Sequence, residues 1–227
     1  MSPPRTEALP LEARDLYRFF HAGDEETLAL RGVSLSLEPG EMVAVLGPSG
    51  SGKSTLLACL AGLDEPDGGT VWIAGERITR RSEAERGRVR ARGIGVLLQT
   101  GNLLDHLPVL GNVELAQRVA GAPESVRARA LLDDLGLERQ GDARPSTLSG
   151  GEAARAGLAV ALANDPSVLL ADEPSGELDR DSEAMVLEIL MGHARAGGAV
   201  CVVTHSDHVA GAADRILRIW DGSVVDG

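Results

Sequence analysis

Gly47-Pro48-Ser49-Gly50-Ser51-Gly52-Lys53-Ser54-Thr55 decides the fold. Four residues separate Gly47 from Gly52, and Lys53-Ser54 follows at once, which is the phosphate-loop spacing. The flanks agree with it. The apolar run Met42 to Leu46 before the loop reads as a strand, and Ser54 to Ala61, with Leu56, Leu57 and Leu60 on one side, reads as a helix. A strand, a glycine-rich turn and a helix let backbone N–H groups wrap a phosphate at the positive end of the helix. In such a loop Lys53 reaches the β and γ phosphates and Ser54 ligates Mg²⁺. Lys53 is the sole lysine among 22 basic residues, a compact point charge in a chain that otherwise uses arginine.

Further short apolar runs occur at Ile94 to Leu98, Val168 to Ala171 and Ala199 to Val203, each bounded by glycine, proline or polar residues. They read as strands buried on both faces of a parallel sheet. Helical patterns separate them at Ser125 to Leu135, Glu152 to Leu162 and Asp181 to Ala194. This alternation predicts a doubly wound α/β domain. Leu28 to Leu37 and Thr70 to Ile73 instead alternate apolar and polar residues beside turn signals, and predict an antiparallel β lobe. The run Val168 to Ala171 ends in Asp172-Glu173, which a buried strand delivers to its C-terminal edge, where open α/β sheets bind ligands. Asp172 suits a magnesium shell, and Glu173, aimed differently, suits a general base on an attacking water.

The chain has 227 residues, 43% of them hydrophobic, enough for one compact domain. Eighteen consecutive apolar residues occur nowhere, and Met1 to Leu11 carries Glu7 and several prolines, so neither a spanning helix nor a signal peptide is expected. Cys59 and Cys201 sit inside apolar runs and read as reduced core residues, in keeping with a cytoplasmic protein. A net charge of −12 argues against non-specific binding to nucleic acid, which rests on lysine and arginine neutralising phosphates. One basic run stands out: seven arginines between Arg77 and Arg92, against only Glu83 and Glu85. It reads as a solvated helix and loop, or as a surface facing anionic lipid or an acidic partner.

Leu148-Ser149-Gly150-Gly151-Glu152 resembles the signature sequence of ATP-binding cassette ATPases. The order of phosphate loop, Gln99, signature, Asp172-Glu173, Asp179 and His205 is similar to that family over roughly residues 9 to 225. On physical grounds alone a Ser-Gly-Gly turn opening a helix is a second anion site. The resemblance implies a P-loop NTPase fold with a mostly parallel core sheet, an antiparallel β lobe and a helical lobe. Residues 1–99 and 163–227 would form the ATP-binding core with its β lobe, and 100–162 the helical lobe carrying the signature. It further implies ATP and Mg²⁺ as ligands and a head-to-tail dimer, with Ser149, Gly150 and Gly151 of one subunit capping the γ-phosphate held by the other. By the same resemblance Gln99 reaches magnesium and the water, His205 contacts the γ-phosphate, Asp179 belongs to the nucleotide site, and Phe20 stacks on adenine. Tyr17 or Phe19 would take that last role in a different register. No motif claims His21, His106, His193 or His208, which read as surface or packing residues.

Three positions depart from the family pattern: Glu152 replaces the commoner glutamine, Val160 an arginine, and Glu177 a frequent asparagine. The runs Leu63 to Gly69 and Ala171 to Asp179 are similar to the branch serving macrolide efflux and lipoprotein release. An ATPase at the cytoplasmic face of the membrane is therefore expected, powering export, extraction or transmembrane signalling through a separately encoded permease. The competing classes are a cassette protein acting on nucleic acid or ribosomes and an unrelated phosphate-loop kinase or GTPase. The first would call for long insertions or a basic surface. A guanine motif Asn-Lys-x-Asp is impossible with Lys53 as the only lysine, and a kinase has no use for Leu148 to Glu152.

Overall fold

The computed structural model describes residues 8–22, 25–176 and 178–225. Glu177 and the beginning of the stretch Met1 to Leu11 lie outside them, and the side chain of His21 is not described.

Ten strands and seven α-helices follow one another among the described residues. The central sheet has six strands in the order β10(Ser223–Val225), β9(Arg215–Trp220), β3(Met42–Leu46), β8(Ala199–Val203), β7(Val168–Asp172), β6(Ile94–Leu97). All pairings are parallel except β10 with β9. β3, β7 and β8 are almost wholly buried, which is why their sequences are continuous apolar runs without alternation.

A second, antiparallel sheet has the order β2(Glu25–Leu37), β1(Leu11–Ala22), β4(Gly68–Ile73), β5(Glu76–Arg77). The two alternating segments of the sequence, now β2 and β4, are not neighbours, because β1 lies between them and pairs with both. Leu11, Ala13, Leu16, Val33, Leu35 and Val71 turn inward from this sheet. They share one core with β3 and with α1(Lys53–Leu60), so the β lobe packs on the helix that follows the phosphate loop.

The other face of the central sheet is covered by α5(Gly150–Leu162) and α6(Arg180–Arg195), with Leu158, Val186 and Leu190 fully buried against Leu169, Val200 and Val202. α3(Val109–Ala120) and α4(Ser125–Asp134) build a separate cluster around Val109, Val113, Leu132 and Leu137, closed by Ala156 and Ala159 of α5. The signature helix therefore spans both bodies of packing. α2(Glu83–Gly93) holds the basic run, buries no residue, and starts with a capping box in which Ser82 and Glu85 satisfy each other's backbone N–H. The short α7(Asp207–Gly211) follows β8.

Cys59 and Cys201 are unpaired and buried, and burial pushes both thiols up to about 12, as for inert core thiols. Among the described residues no helix is long and apolar enough to cross a membrane.

Candidate nucleotide site

The phosphate loop leaves the C-terminal end of β3 at the centre of the sheet, and its shape is forced from outside. Gly47 approaches the Ile219 carbonyl so closely that a Cβ would stand 2.2 Å from that oxygen. Gly52 has φ +102°, and a Cβ there would lie 2.3 Å from the Ala29 carbonyl of β2. Only glycine tolerates both the dihedral and the approach. Between them the Ser51 N–H donates to Pro48 O at 3.2 Å, and the Gly222 N–H donates to Ser51 O at 3.0 Å, which ties the turn after β9 to the loop. Ser49 and Gly50 are exposed at the tip, while Ser51 is buried and its Oγ has no partner.

α1 begins at Gly52 with no side-chain cap and no acidic residue in its first turn. Its leading N–H groups, with the positive end of the helix dipole, are thus left for an anion. Lys53 folds over the loop and donates from Nζ to Gly47 O at 2.8 Å and Pro48 O at 3.0 Å, and Thr55 is half-buried in the first turn. A phosphate entering the loop would exchange these neutral carbonyl acceptors for charged ones.

Across the sheet, β7 brings the Asp172 carboxylate beside the Ser54 hydroxyl. Burial raises the Asp172 carboxyl above its ordinary value, helped by the neighbouring charge of Glu173 and opposed by Ser54 and Lys53. Its Oδ1 is buried without a partner. A half-buried carboxylate with an orphaned oxygen, beside a serine hydroxyl and a phosphate loop, fits one divalent cation that completes its shell with phosphate oxygens and water. Among the described residues no three His, Cys, Asp or Glu side chains converge as an all-protein metal cage.

Glu173 stands just past the strand in a left-handed conformation, φ +47°, with its N–H bonded to Val203 O at 2.8 Å. Its Oε2 lies 2.9 Å from His205 Nδ1 and accepts from the His205 N–H at 3.3 Å. The carboxylate is mostly buried and the imidazole exposed, so the pair sits at the rim of the site. Gln99 is exposed just after β6 and lines, with Glu173 and Gly150, a cleft of about 450 Å³. The turn carrying Gln99 is pinned by Asn102, whose Oδ1 accepts from Leu98 N at 2.7 Å and whose Nδ2 donates to Leu98 O at 2.6 Å. Nothing in the sequence marks Asn102 for this task.

At the signature, Ser149 caps α5 and forms a reciprocal box with Glu152: Ser149 Oγ accepts from Glu152 N at 3.3 Å, and Glu152 Oε2 accepts from Ser149 N at 2.8 Å. The glutamate that departs from the family pattern thus has a local task, and Gln140 Nε2 holds its other oxygen at 2.7 Å. Hydrogen bonds from Ser149 keep its carboxyl below the ordinary range. Ser149 and Gly150 are exposed, whereas Gly151 is buried against Ser182, so its glycine answers a packing need. Asp179 caps α6, accepting from Asp181 N at 3.1 Å, Ser182 N at 2.9 Å and Ser182 Oγ at 3.0 Å. That carboxylate is engaged within its own helix. No hydrogen bond among the described residues joins Ser149 or Gly150 to the loop Gly47–Thr55.

Phe20 lies on β1 opposite Thr27 and is 42% exposed, with the Arg18 guanidinium 4.8 Å above its ring. Arg18 is fixed there by Asp64 at 2.8 Å and Asp67 at 3.1 Å. Tyr17, also 42% exposed, packs against Gly68 and Gly32, and Phe19 is half-buried. His193 is half-buried against Gly198, and burial lowers its pKa; His208 Nδ1 lies 3.5 Å from Glu183. Val160, the remaining departure, is half-buried at the edge of the α3–α4 cluster.

Residues 30–176 match the family described as "ABC transporter". The chain is 42% identical over 218 residues, 95% of its length, to the macrolide export ATP-binding/permease protein MacB of Hahella chejuensis, and spans 33% of that protein. It is also 42% identical over 217 residues to an uncharacterized ABC transporter ATP-binding protein of Thermotoga maritima, covering 94% of this chain and 93% of that one. Among solved structures it resembles the dimeric bacterial ABC transporter cassette MJ0796, with a TM-score of 0.89, 35% identity, and 95% and 97% of the two chains covered. A structure of the same cassette in a post-hydrolysis state bound to ADP and Pi fits equally well.

Proposed function

We propose that this chain, which belongs to the ABC transporter family and is one of its ATP-hydrolysing cassettes, works as a head-to-tail dimer that drives a membrane-spanning permease. The observation that carries the reading is the meeting of two strand ends beside an uncapped helix: Asp172 against Ser54, and Glu173 against His205.

The loop Gly47–Thr55 binds the β and γ phosphates through its N–H groups, with Lys53 leaving the carbonyls of Gly47 and Pro48 to pair with them. Ser54 and Asp172, joined by Gln99 from the adjoining cleft, would hold Mg²⁺, which when bound neutralises charge on the phosphates. Glu173 accepts a proton from the water that attacks the γ-phosphorus, and the bond from that phosphorus to the ADP oxygen breaks. His205, 2.9 Å from Glu173, keeps the carboxylate aimed and is placed to donate to a γ-phosphate oxygen. Ser149 and Gly150 are exposed and make no hydrogen bond to the loop Gly47–Thr55 of their own chain, and in a second copy the Ser149 hydroxyl and the Gly150 N–H would close over the γ-phosphate. Asp179 and the buried Gly151 position that cap through Ser182. Phe20 offers adenine the ring face opposite Arg18.

The chain spans a third of the MacB relatives, whose names include a permease, and nearly the whole of the Thermotoga maritima ATP-binding protein. The second likeness supports a separate permease partner and a peripheral place on the cytoplasmic face of the membrane. Likeness to MacB favours export, extraction or signalling as the work performed, and the net charge of −12 weighs against nucleic acid as the partner.

Glu173→Gln tests the central assignment. The substitution keeps shape and loses the base, so ATP hydrolysis should fall about 10²-fold or more with ATP affinity nearly unchanged. An ATP-bound dimer should then persist in sedimentation. Normal turnover, or lost ATP binding, would show that Glu173 does not hold the catalytic role.

A further inference from the structure

The arginine run of the sequence does not form a uniform solvated face. Arg77 of β5 and Arg81, Arg86, Arg88 and Arg92 on or before α2 line a cavity of about 520 Å³ between the β4–β5 hairpin and α2. The strongly acidic character of the chain makes such a concentration a local feature. Three carboxylates share the lining, and two of them are already engaged: Glu85 by Ser82 and Arg81, and Asp165 by Arg127. Arg86 is held by Glu65 and Glu83. Arg77, Arg88 and Arg92 have no ion-pair partner among the described residues, and only the Nε of Arg77 is used, by Thr79. The floor is apolar, made by the buried Ile73 and Ile78.

The cavity is separate from the nucleotide loop. Gly93 and Ser167 at its base immediately precede β6 and β7, so it opens at the N-terminal ends of the strands, whereas Gly47–Thr55 and Asp172 lie at C-terminal ends. Three unpaired guanidinium forks around a concave, partly apolar pocket match the planar, multidentate recognition of phosphate oxygens. Such a volume takes a small organic phosphate.

We propose that this cavity is an anion site distinct from the phosphate loop and the Ser149 turn, which binds a phosphomonoester or phosphodiester group through Arg77, Arg88 and Arg92. That group belongs either to a free metabolite or to a lipid headgroup.

The test uses the full chain with its nucleotide site filled by Mg²⁺ and a non-hydrolysable ATP analogue, so that the phosphate loop cannot answer for the cavity. One arm titrates glycerol 1-phosphate by calorimetry. The other sediments the protein with phosphatidylglycerol vesicles against phosphatidylcholine vesicles. Arg88→Gln and Arg92→Gln should each weaken binding about tenfold, the scale of one charge-assisted hydrogen bond. Arg80→Gln removes the same charge from the same run outside the cavity and should leave binding nearly unchanged. Affinity for the ATP analogue, equal in all variants, reports that they fold. Saturable binding of glycerol 1-phosphate assigns a free organic phosphate; selective binding to phosphatidylglycerol vesicles alone assigns a headgroup. Absence of binding in both arms, or equal losses from Arg80→Gln and the cavity variants, overturns the proposal.

Discussion

Gly151→Ala puts a single methyl group into the contact that joins the signature helix to α6. The added Cβ would stand 2.3 Å from Ser182 Oγ and 2.9 Å from Ser182 Cβ. Ser182 cannot turn away freely, since its Oγ donates to Asp179 Oδ2 at 3.0 Å and its N–H to Asp179 Oδ1 at 2.9 Å. The starts of α5 and α6 must therefore separate, and overpacking of this kind costs about 1–3 kcal/mol. In a chain of this size each kcal/mol lowers Tm by about 2–4 °C. Ser182→Gly removes both atoms that the methyl group would meet. Thermal unfolding of the parent, the two single variants and the double variant closes a cycle in which the double variant should recover about 1 kcal/mol or more relative to the sum of the singles. The same displacement moves Ser149 and Gly150, so Gly151→Ala should also weaken ATP-dependent dimerisation in sedimentation, with ATP still bound by the isolated chain. Additivity within about 0.5 kcal/mol would refute the claim that this contact dictates the glycine.

Lys53→Ala removes the only lysine and its two bonds to the loop carbonyls, and ATP affinity measured by calorimetry should fall by about 10²-fold or more; unchanged affinity would sink the phosphate-loop assignment. Ser149→Arg should leave ATP bound to the single subunit yet abolish ATP-dependent dimerisation, and a variant that dimerises and hydrolyses ATP like the parent would show that the Ser149 turn does not cap a partner's phosphate. Glu152→Gln keeps an acceptor for Ser149 N and should melt close to the parent, whereas Glu152→Ala loses both that bond and the one from Gln140 and should melt lower. Equal melting of the alanine variant and the parent would mean that the capping box does not support α5.

The central strands were legible because β3, β7 and β8 are buried on both faces and leave no polar alternation. β1 was not, for a physical reason: its pairing with β2 shifts register between Ala13 and Leu16, between Leu16 and Tyr17 and between Arg18 and Phe19, and Asp15 takes φ +51°. Each bulge breaks the two-residue period on which a strand is recognised. α2 fully buries no residue, with Val89 only half-buried against the core, and only the Ser82-x-x-Glu85 box announces its start. β9 carries Arg215 and Arg218 within a strand that still pairs β3 from Arg215 to Arg218. In the site, the sequence motifs named the phosphate loop and the acidic pair, but the contact of Glu173 with His205 depends on the register that sets Asp172 beside Val203. Gln140, Asn102 and Ser182 act through contacts distant in sequence or across a turn, and their residue types alone are ordinary.

The two adjacent carboxylates illustrate why a motif fixes residue types before it fixes roles. Asp172 closes β7, and alternation along a strand would send the next side chain to the opposite face of the sheet, away from Ser54 and the loop. Glu173 avoids this by leaving the strand: its N–H still reaches Val203 O of β8, but its φ of +47° turns the chain and brings the carboxylate to His205 at 2.9 Å. A non-glycine residue held in that region carries about 1–2 kcal/mol of strain. Glycine would relieve the strain and delete the carboxylate, so the backbone conformation and the side chain make opposing demands on this one position. On the proposed reading Glu173 keeps its carboxylate despite that strain, whereas Gly47 and Gly52, where a Cβ would collide with the Ile219 and Ala29 carbonyls, contribute bare backbone. Strain and openness thus lie on opposite sides of one site, and their distribution follows from which side supplies a side chain and which supplies bare backbone.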